Sequence, residues 1–311
     1  MDGIPKSTLG LHTLYCPESG AVLDVVAVHG LGGDSFSTWS DGDILWLRDL
    51  LPQSPEFKKS RIMTFGYDAT AFTKPFAKTT TGRTFTFAEA LLNDLSDSRE
   101  EFNAVGRPLI FLGHSLGGIV IKAALRHARE RPAQYKDILE STKAIMFFGT
   151  PHQGADAATW AGYLSKIGRV IGVKNTEVTA ELQRWSNPLT ELTKVFSENQ
   201  ENIAITTFYE SRSLHGTIVV PEASATMGWK DERCVKLDGT HTSICRLTET
   251  DPNWRTVRTR LNVVAKSLLG LAAGVPNLEG LVKGQEETKE VDAENQHFEQ
   301  KMGARMEALK K

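Results

Sequence analysis

Unbroken apolar runs and helical-period apolar stripes succeed one another along most of this chain. Residues 9–29 hold two strand-length candidates, the second ending in Val25-Val26-Ala27-Val28-His29. Further runs lie at Arg61 to Phe65, Leu109 to Leu112 and Ala144 to Phe148. Continuous apolar runs of this length predict strands buried on both faces. Between them the period becomes that of a helix, at roughly Ile44 to Leu51, Phe85 to Phe102 and Leu116 to Arg131. In the last of these, Ile119, Val120, Ala123, Ala124 and Ala128 mark the apolar face. Such alternation predicts an α/β domain, with a mostly parallel central sheet flanked by helices.

The pattern changes in three places. From Ala69 to Thr84 a Thr/Lys-rich stretch has no clear period and reads as a loop. Residues 155–200 read as a helical cap insertion, with Trp160, Leu164, Ile167 and Ile171 on one face. Burial is the commoner fate of such a face, so a fixed cap is the first expectation and a movable lid the second. Residues 203–247 return to strands, at Ile203 to Tyr209 and Arg233 to Leu237, and a helix follows near Trp254 to Leu271. The expected domain covers 9–272. Residues 273–311 form a polar tail or linker with a thin apolar stripe at Val291, Phe298, Met302, Met306 and Leu309. A protein partner bound through that tail is the sharper reading, a solvated linker the plainer one.

Gly113-His114-Ser115-Leu116-Gly117 falls between the run ending at Leu112 and the helix from Leu116. Strand, G-x-S-x-G and helix together make a nucleophile elbow, with Ser115 held in a strained turn and glycines where side chains would strike neighbouring backbone. A second glycine motif, His29-Gly30-Leu31-Gly32-Gly33, directly follows a strand. Acyl transfer builds a negative oxygen that two backbone N–H groups must meet. Leu116 would supply one, and the loop the other, from Leu31 or from Gly30. His29 reads as a support of that loop.

The general base should follow the last strand, where Asp238-Gly239-Thr240-His241 has the right form. The acid that orients it should end the strand after the insertion, which favours Glu210. Glu222 and Asp238 remain alternatives. Gly149-Thr150-Pro151-His152-Gln153-Gly154 reads as a turn at the pocket mouth. Gly30, His152, Trp160 and Leu164 are therefore expected to border the substrate.

Composition narrows the classes. The 311 residues carry 36 basic and 38 acidic side chains, so no basic excess marks a nucleic-acid footprint. Three scattered cysteines, Cys16, Cys234 and Cys245, suggest a reducing compartment. Neither a secretory h-region nor an apolar run of transmembrane length is visible, so an intracellular, cytoplasmic place is expected.

These motifs, with Arg61-Ile62-Met63-Thr64-Phe65-Gly66-Tyr67 and Phe208-Tyr209-Glu210, resemble the α/β-hydrolase group of serine esterases and lipases over about residues 9–265. That group includes mitochondrial serine-active-site-containing proteins and, more distantly, GPI inositol deacylases. The chain is similar above all to the hydrolase-like domains at the N-terminus of fungal NOD-like receptors. No P-loop follows residue 250, where those domains are usually followed by a nucleotide-binding one. The resemblance implies an α/β-hydrolase fold and a triad of Ser115, Glu210 and His241, with no metal or organic cofactor. It also implies hydrolysis of a lipid or other apolar ester, with peripheral membrane contact left open. A signalling or interaction module on the same fold, or an acyltransferase using the same triad, are the alternatives.

Overall fold

The computed structural model describes residues 9–69, 81–152, 157–170, 191–196, 202–214 and 216–270. The chain divides into two compact units, Met1–Ala265 and Lys266–Lys311, and the sheet lies in the first. The strands are β1 Gly10–Tyr15, β2 Leu23–Val28, β3 Ser40–Asp41, β4 Ile44–Leu45, β5 Ser60–Gly66, β6 Leu109–His114, β7 Thr142–Phe148, β8 Ala204–Glu210 and β9 Arg233–Leu237. Seven of them form one sheet in the order β1-β5-β2-β6-β7-β8-β9, while β3 and β4 pair in a small ribbon. Only β1 runs antiparallel in the large sheet, on β5. The helices are α1 Trp46–Asp49, α2 Thr81–Glu101, α3 Leu116–Glu130, α4 Pro132–Ser141 and α5 Ala157–Val170, then α6 at 191–196, α7 Glu222–Ala225 and α8 Pro252–Leu268. This is an α/β-hydrolase fold, a mostly parallel sheet flanked by helices.

Burial follows the sequence pattern. Strands β2 and β6 are buried at every position, as central parallel strands must be. Strand β9, at the edge, is exposed at Arg233, Cys234 and Lys236. Helix α3 buries most of its length, because it lies between the sheet and the helices α2 and α4.

Some expected boundaries move. The helix expected over Ile44 to Leu51 is a single turn, α1, after the β3–β4 ribbon, and Leu51–Gln53 tightens into a 3-10 turn containing Pro52. Helix α2 begins at Thr81, inside the stretch expected as loop. Helix α4 was not anticipated. Pro132, which reads as a stop for α3, is also the first residue of the next helix, where a missing N–H costs nothing. Within 155–200 the described residues are α5 and α6. Ile171 lies outside them, as does the tail from 273.

Candidate active site

Parallel strands deliver their following loops to one edge of the sheet, the usual place for a site in such folds. Gly30 follows β2, Ser115 follows β6, His152 follows β7, Glu210 ends β8 and His241 follows β9. Residues scattered over two hundred positions therefore converge.

Ser115 sits in the sharp turn between β6 and α3 with φ 52° and ψ −120°. Left-handed backbone is costly for a residue with a Cβ, so the surroundings must enforce it. They do so partly through the Ser115 N–H, which donates to the Phe148 carbonyl at 2.9 Å. A Cβ at Gly113 would come within 2.7 Å of the Gly118 Cα, and one at Gly117 would strike the carbonyl oxygens of Val28 and His29. Both motif glycines are thus required by close backbone approach.

A chain of hydrogen bonds runs from the serine. Its Oγ lies 3.0 Å from His241 Nε2, and His241 Nδ1 lies 2.7 Å from Glu210 Oε2. A carboxylate only accepts, so the Nδ1–H donates to Glu210, and Nε2 is left as the acceptor facing Ser115. Glu210 is itself fixed, since its Oε1 accepts the amides of Val219 and Val220 at 2.6 and 3.0 Å. Ser115, Glu210 and His241 are all 1–2 % exposed. The other two carboxylates stand elsewhere. Glu222 opens α7 and faces the Tyr209 hydroxyl. Asp238 is exposed and pairs with Arg212 at 2.6 and 2.5 Å, a bond that holds its carboxyl below the usual range.

The glycine loop after β2 packs directly on the elbow, for a Cβ at Gly30 would lie 2.8 Å from that of Ser115. His29 is fully buried and braces this loop. Its Nδ1–H donates to the Gly30 carbonyl at 2.9 Å, and its Nε2 accepts the Tyr67 amide at 3.1 Å. The Tyr67 hydroxyl donates back to the His29 carbonyl at 2.8 Å, and the two rings stack. Burial lowers His29 to about 4, so the ring stays neutral at neutral pH. Among the described residues, no acceptor takes the N–H of Leu31 or of Leu116.

His152, expected at the pocket mouth, is buried instead against Lys122 of α3 at 2.6 Å. Its backbone N–H donates to Ser224, whose hydroxyl meets that of Tyr163 on α5. Trp160 and Leu164 fall on α5, but their side chains lie outside the described residues. Two buried polar contacts were missed by sequence reasoning. His114 donates its Nε2–H to the His241 carbonyl, and Lys122 is the lone cation on the buried side of α3. A charge set among apolar helix positions was the available signal for Lys122. Among the described residues, no group of three or more His, Cys, Asp or Glu could hold a metal ion, and no helix is long and apolar enough to cross a membrane.

Comparison with known proteins follows the same outline. Protein SERAC1 of Bos taurus is 26 % identical over 265 residues, 78 % of this chain and 38 % of that one. Protein SERAC1 of Danio rerio is 28 % identical over 260 residues, covering 73 % and 37 %. The chain thus spans less than two fifths of these relatives' length. Among solved structures, the mature lipase BlEst2 of Bacillus licheniformis is similar at 20 % identity and a TM-score of 0.49, over 80 % of this chain and 97 % of the lipase. Residues 22–189, from the start of β2 past the elbow and the turn after β7, match the model of the family described as "Putative serine esterase (DUF676)", and over that share of its length the chain belongs to this family.

Proposed function

We propose that this serine hydrolase cleaves carboxylic esters with apolar acyl groups, through a covalent acyl-enzyme on Ser115. The observation that carries the reading is the continuous Ser115–His241–Glu210 hydrogen-bond chain at the C-terminal edge of the sheet. Neutral His241 takes the hydroxyl proton through Nε2 as Ser115 Oγ attacks the ester carbonyl carbon. Glu210 holds the opposite nitrogen and stabilises the imidazolium that forms. The carbonyl oxygen, now negative, sits against the Leu116 and Leu31 amides, each such donor worth about 3 kcal/mol of transition-state stabilisation.

Collapse of this intermediate breaks the bond to the alkoxide, which leaves with the proton from His241 Nε2. Water then enters, loses a proton to the same nitrogen and attacks the acyl-enzyme. The carboxylic acid departs, Ser115 regains its proton, and the cycle closes. Glycine at position 30 lets the loop approach the elbow this closely, since a Cβ there would lie 2.8 Å from that of Ser115.

The test joins labelling and turnover. A fluorophosphonate should add to the wild-type chain at Ser115 by mass spectrometry and not to Ser115→Ala. Acyl esters from acetyl to decanoyl should show kcat/KM rising with length, by up to about 0.8 kcal/mol per buried methylene. Labelling without turnover of any ester would reject the esterase reading and favour an acyltransferase, while neither labelling nor turnover would favour an interaction module. Equal turnover of all chain lengths would reject the apolar acyl pocket.

A further inference from the structure

Glu210 can orient His241 only while its own carboxylate is held. The hold comes from the Val219 and Val220 amides, at 2.6 and 3.0 Å from Oε1. Before these valines, Ser213, Gly216 and Ile218 are exposed, and Leu214 pairs with Thr217 in a local bridge. That side offers little to keep the two amides in place. After them comes Pro221, with φ −65° and ψ 158°, where the ring itself fixes φ. The Pro221 carbonyl accepts the amides of Ser224 at 2.8 Å and Ala225 at 2.9 Å. The grip on Glu210 and the short helix α7 therefore form one stiff piece, and a shift of α7 carries both amides with it.

Ser224 fastens that piece twice. Its carbonyl accepts the His152 amide at 2.6 Å, from the turn after β7. Its hydroxyl meets the Tyr163 hydroxyl, 61 positions away on α5. Both side chains are buried, so removing one hydroxyl leaves the other without its partner and out of reach of water. The same face of α5 is seated by apolar contact, for Tyr163 and Ile167 share one buried cluster with Val219, Val220 and Ala225. A path of direct contacts thus runs from α5 through Ser224 and the two valine amides to Glu210.

We propose that Tyr163 is a positioning residue: by holding Ser224 it sets the Val219–Val220 grip on Glu210, so that the seating of α5 governs how fast Ser115 reacts. The inference rests on the triad chemistry proposed above. No proton moves along this path, which works by geometry. With α7 free to shift, Glu210 loses its amide donors for part of the time, His241 turns from Ser115, and fewer molecules are aligned to react. Helix α5 falls in the stretch expected to border the substrate, so whatever displaces it is felt at Glu210.

The rate at which a fluorophosphonate adds to Ser115 tests this without need of an ester. Tyr163→Phe, which keeps the ring, should slow labelling about fivefold. Ser224→Ala, which keeps the carbonyl for His152, should slow it equally. The double variant should be no slower than either, since both changes break one link. In a Glu210→Gln background, Tyr163→Phe should have no further effect, because the carboxylate it positions is gone. A hydroxyl that merely steadied the fold would add its effect in every background. Amide exchange of the full chain, followed by mass spectrometry, should quicken about tenfold over Val219 and Val220 in Tyr163→Phe. Ser224→Ala keeps the test open should Tyr163→Phe fail to fold. Wild-type labelling rates in both single variants, additive losses with Glu210→Gln, or unchanged exchange at the two valines would overturn this proposal alone. A wild-type chain that takes no label at Ser115 would overturn the triad reading and this proposal together.

Discussion

The side chain of His114 donates its Nε2–H to the main-chain carbonyl of His241 at 2.9 Å. The residue before Ser115 thus holds the loop that carries His241, and 127 positions of sequence are closed by one bond. Burial, then the neighbouring His241, lowers His114 to about 3, so it stays neutral and adds no charge beside the imidazole.

His114 should therefore act as a positioning residue. His114→Ala should lower kcat by about tenfold with KM little changed, since it loosens the geometry of the base and no substrate contact. His114→Gln, whose amide nitrogen reaches as far as the imidazole Nε2, should recover most of the loss. Equal kcat values for the alanine and glutamine variants would show that the bond does not matter.

Glu210→Gln should reduce kcat by about 10³- to 10⁴-fold, because an amide can stabilise the wrong imidazole tautomer. Glu222→Gln and Asp238→Asn should stay within about threefold, as neither carboxylate touches His241. Steady-state kinetics on one ester decide this. A collapse of activity in either control variant would reassign the orienting acid.

Acid should destabilise this protein steeply. His29 and His114 have folded values of about 4 and about 3, both below the ordinary 6.5, and burial also lowers His152 far beneath that value. Above pH 6.5 these rings are neutral in both states and carry no penalty. Below it the unfolded chain binds protons that the folded chain refuses, so stability falls with pH. Three such rings give a slope of about 4 kcal/mol per pH unit at its steepest, between pH 6 and 4. Urea midpoints measured from pH 8 to 4.5 should show this decline. A flat profile would mean that these rings are not held neutral.

Asp24 offers a test of the scaffold alone. Its buried carboxylate accepts from Arg61 at 3.1 and 3.0 Å, from Arg99 at 2.8 Å and from Arg107 at 3.0 Å. Asp24→Asn removes the shared anion from three guanidinium groups and should cost about 3–5 kcal/mol. Asp24 lies near the start of β2, at the end away from Gly30, so the folded variant should keep its kcat. Chemical denaturation and kinetics at low temperature separate the two effects. A loss under about 1 kcal/mol would show the cluster to be dispensable.

Local spacing made much of this legible. The elbow, the glycine loop and the strand-turn-histidine of Asp238 to His241 are short motifs whose geometry is set by adjacent residues. Glu210 could be favoured but not separated from Glu222 and Asp238, because all three are carboxylates in the same interval. What separates them is the pair of amides at Val219 and Val220, and no local pattern announces that grip. The Asp24 cluster and the Lys122–His152 pair escaped for a related reason. Their partners lie 30 or more positions apart. A charge within an apolar run marks such a residue, but it does not name the partner.

Strand β9 closes the sheet at its outer edge and pairs only with β8. His241, the proposed base, follows it, 126 residues after Ser115. During synthesis the core strands, the elbow and the glycine loop all leave the ribosome before His241 does. A nascent chain can therefore hold a nearly finished scaffold and remain chemically silent. On the proposed mechanism, the loop after β9 arms it. The same arrangement lets a lineage discard reactivity at its periphery while its centre stays intact.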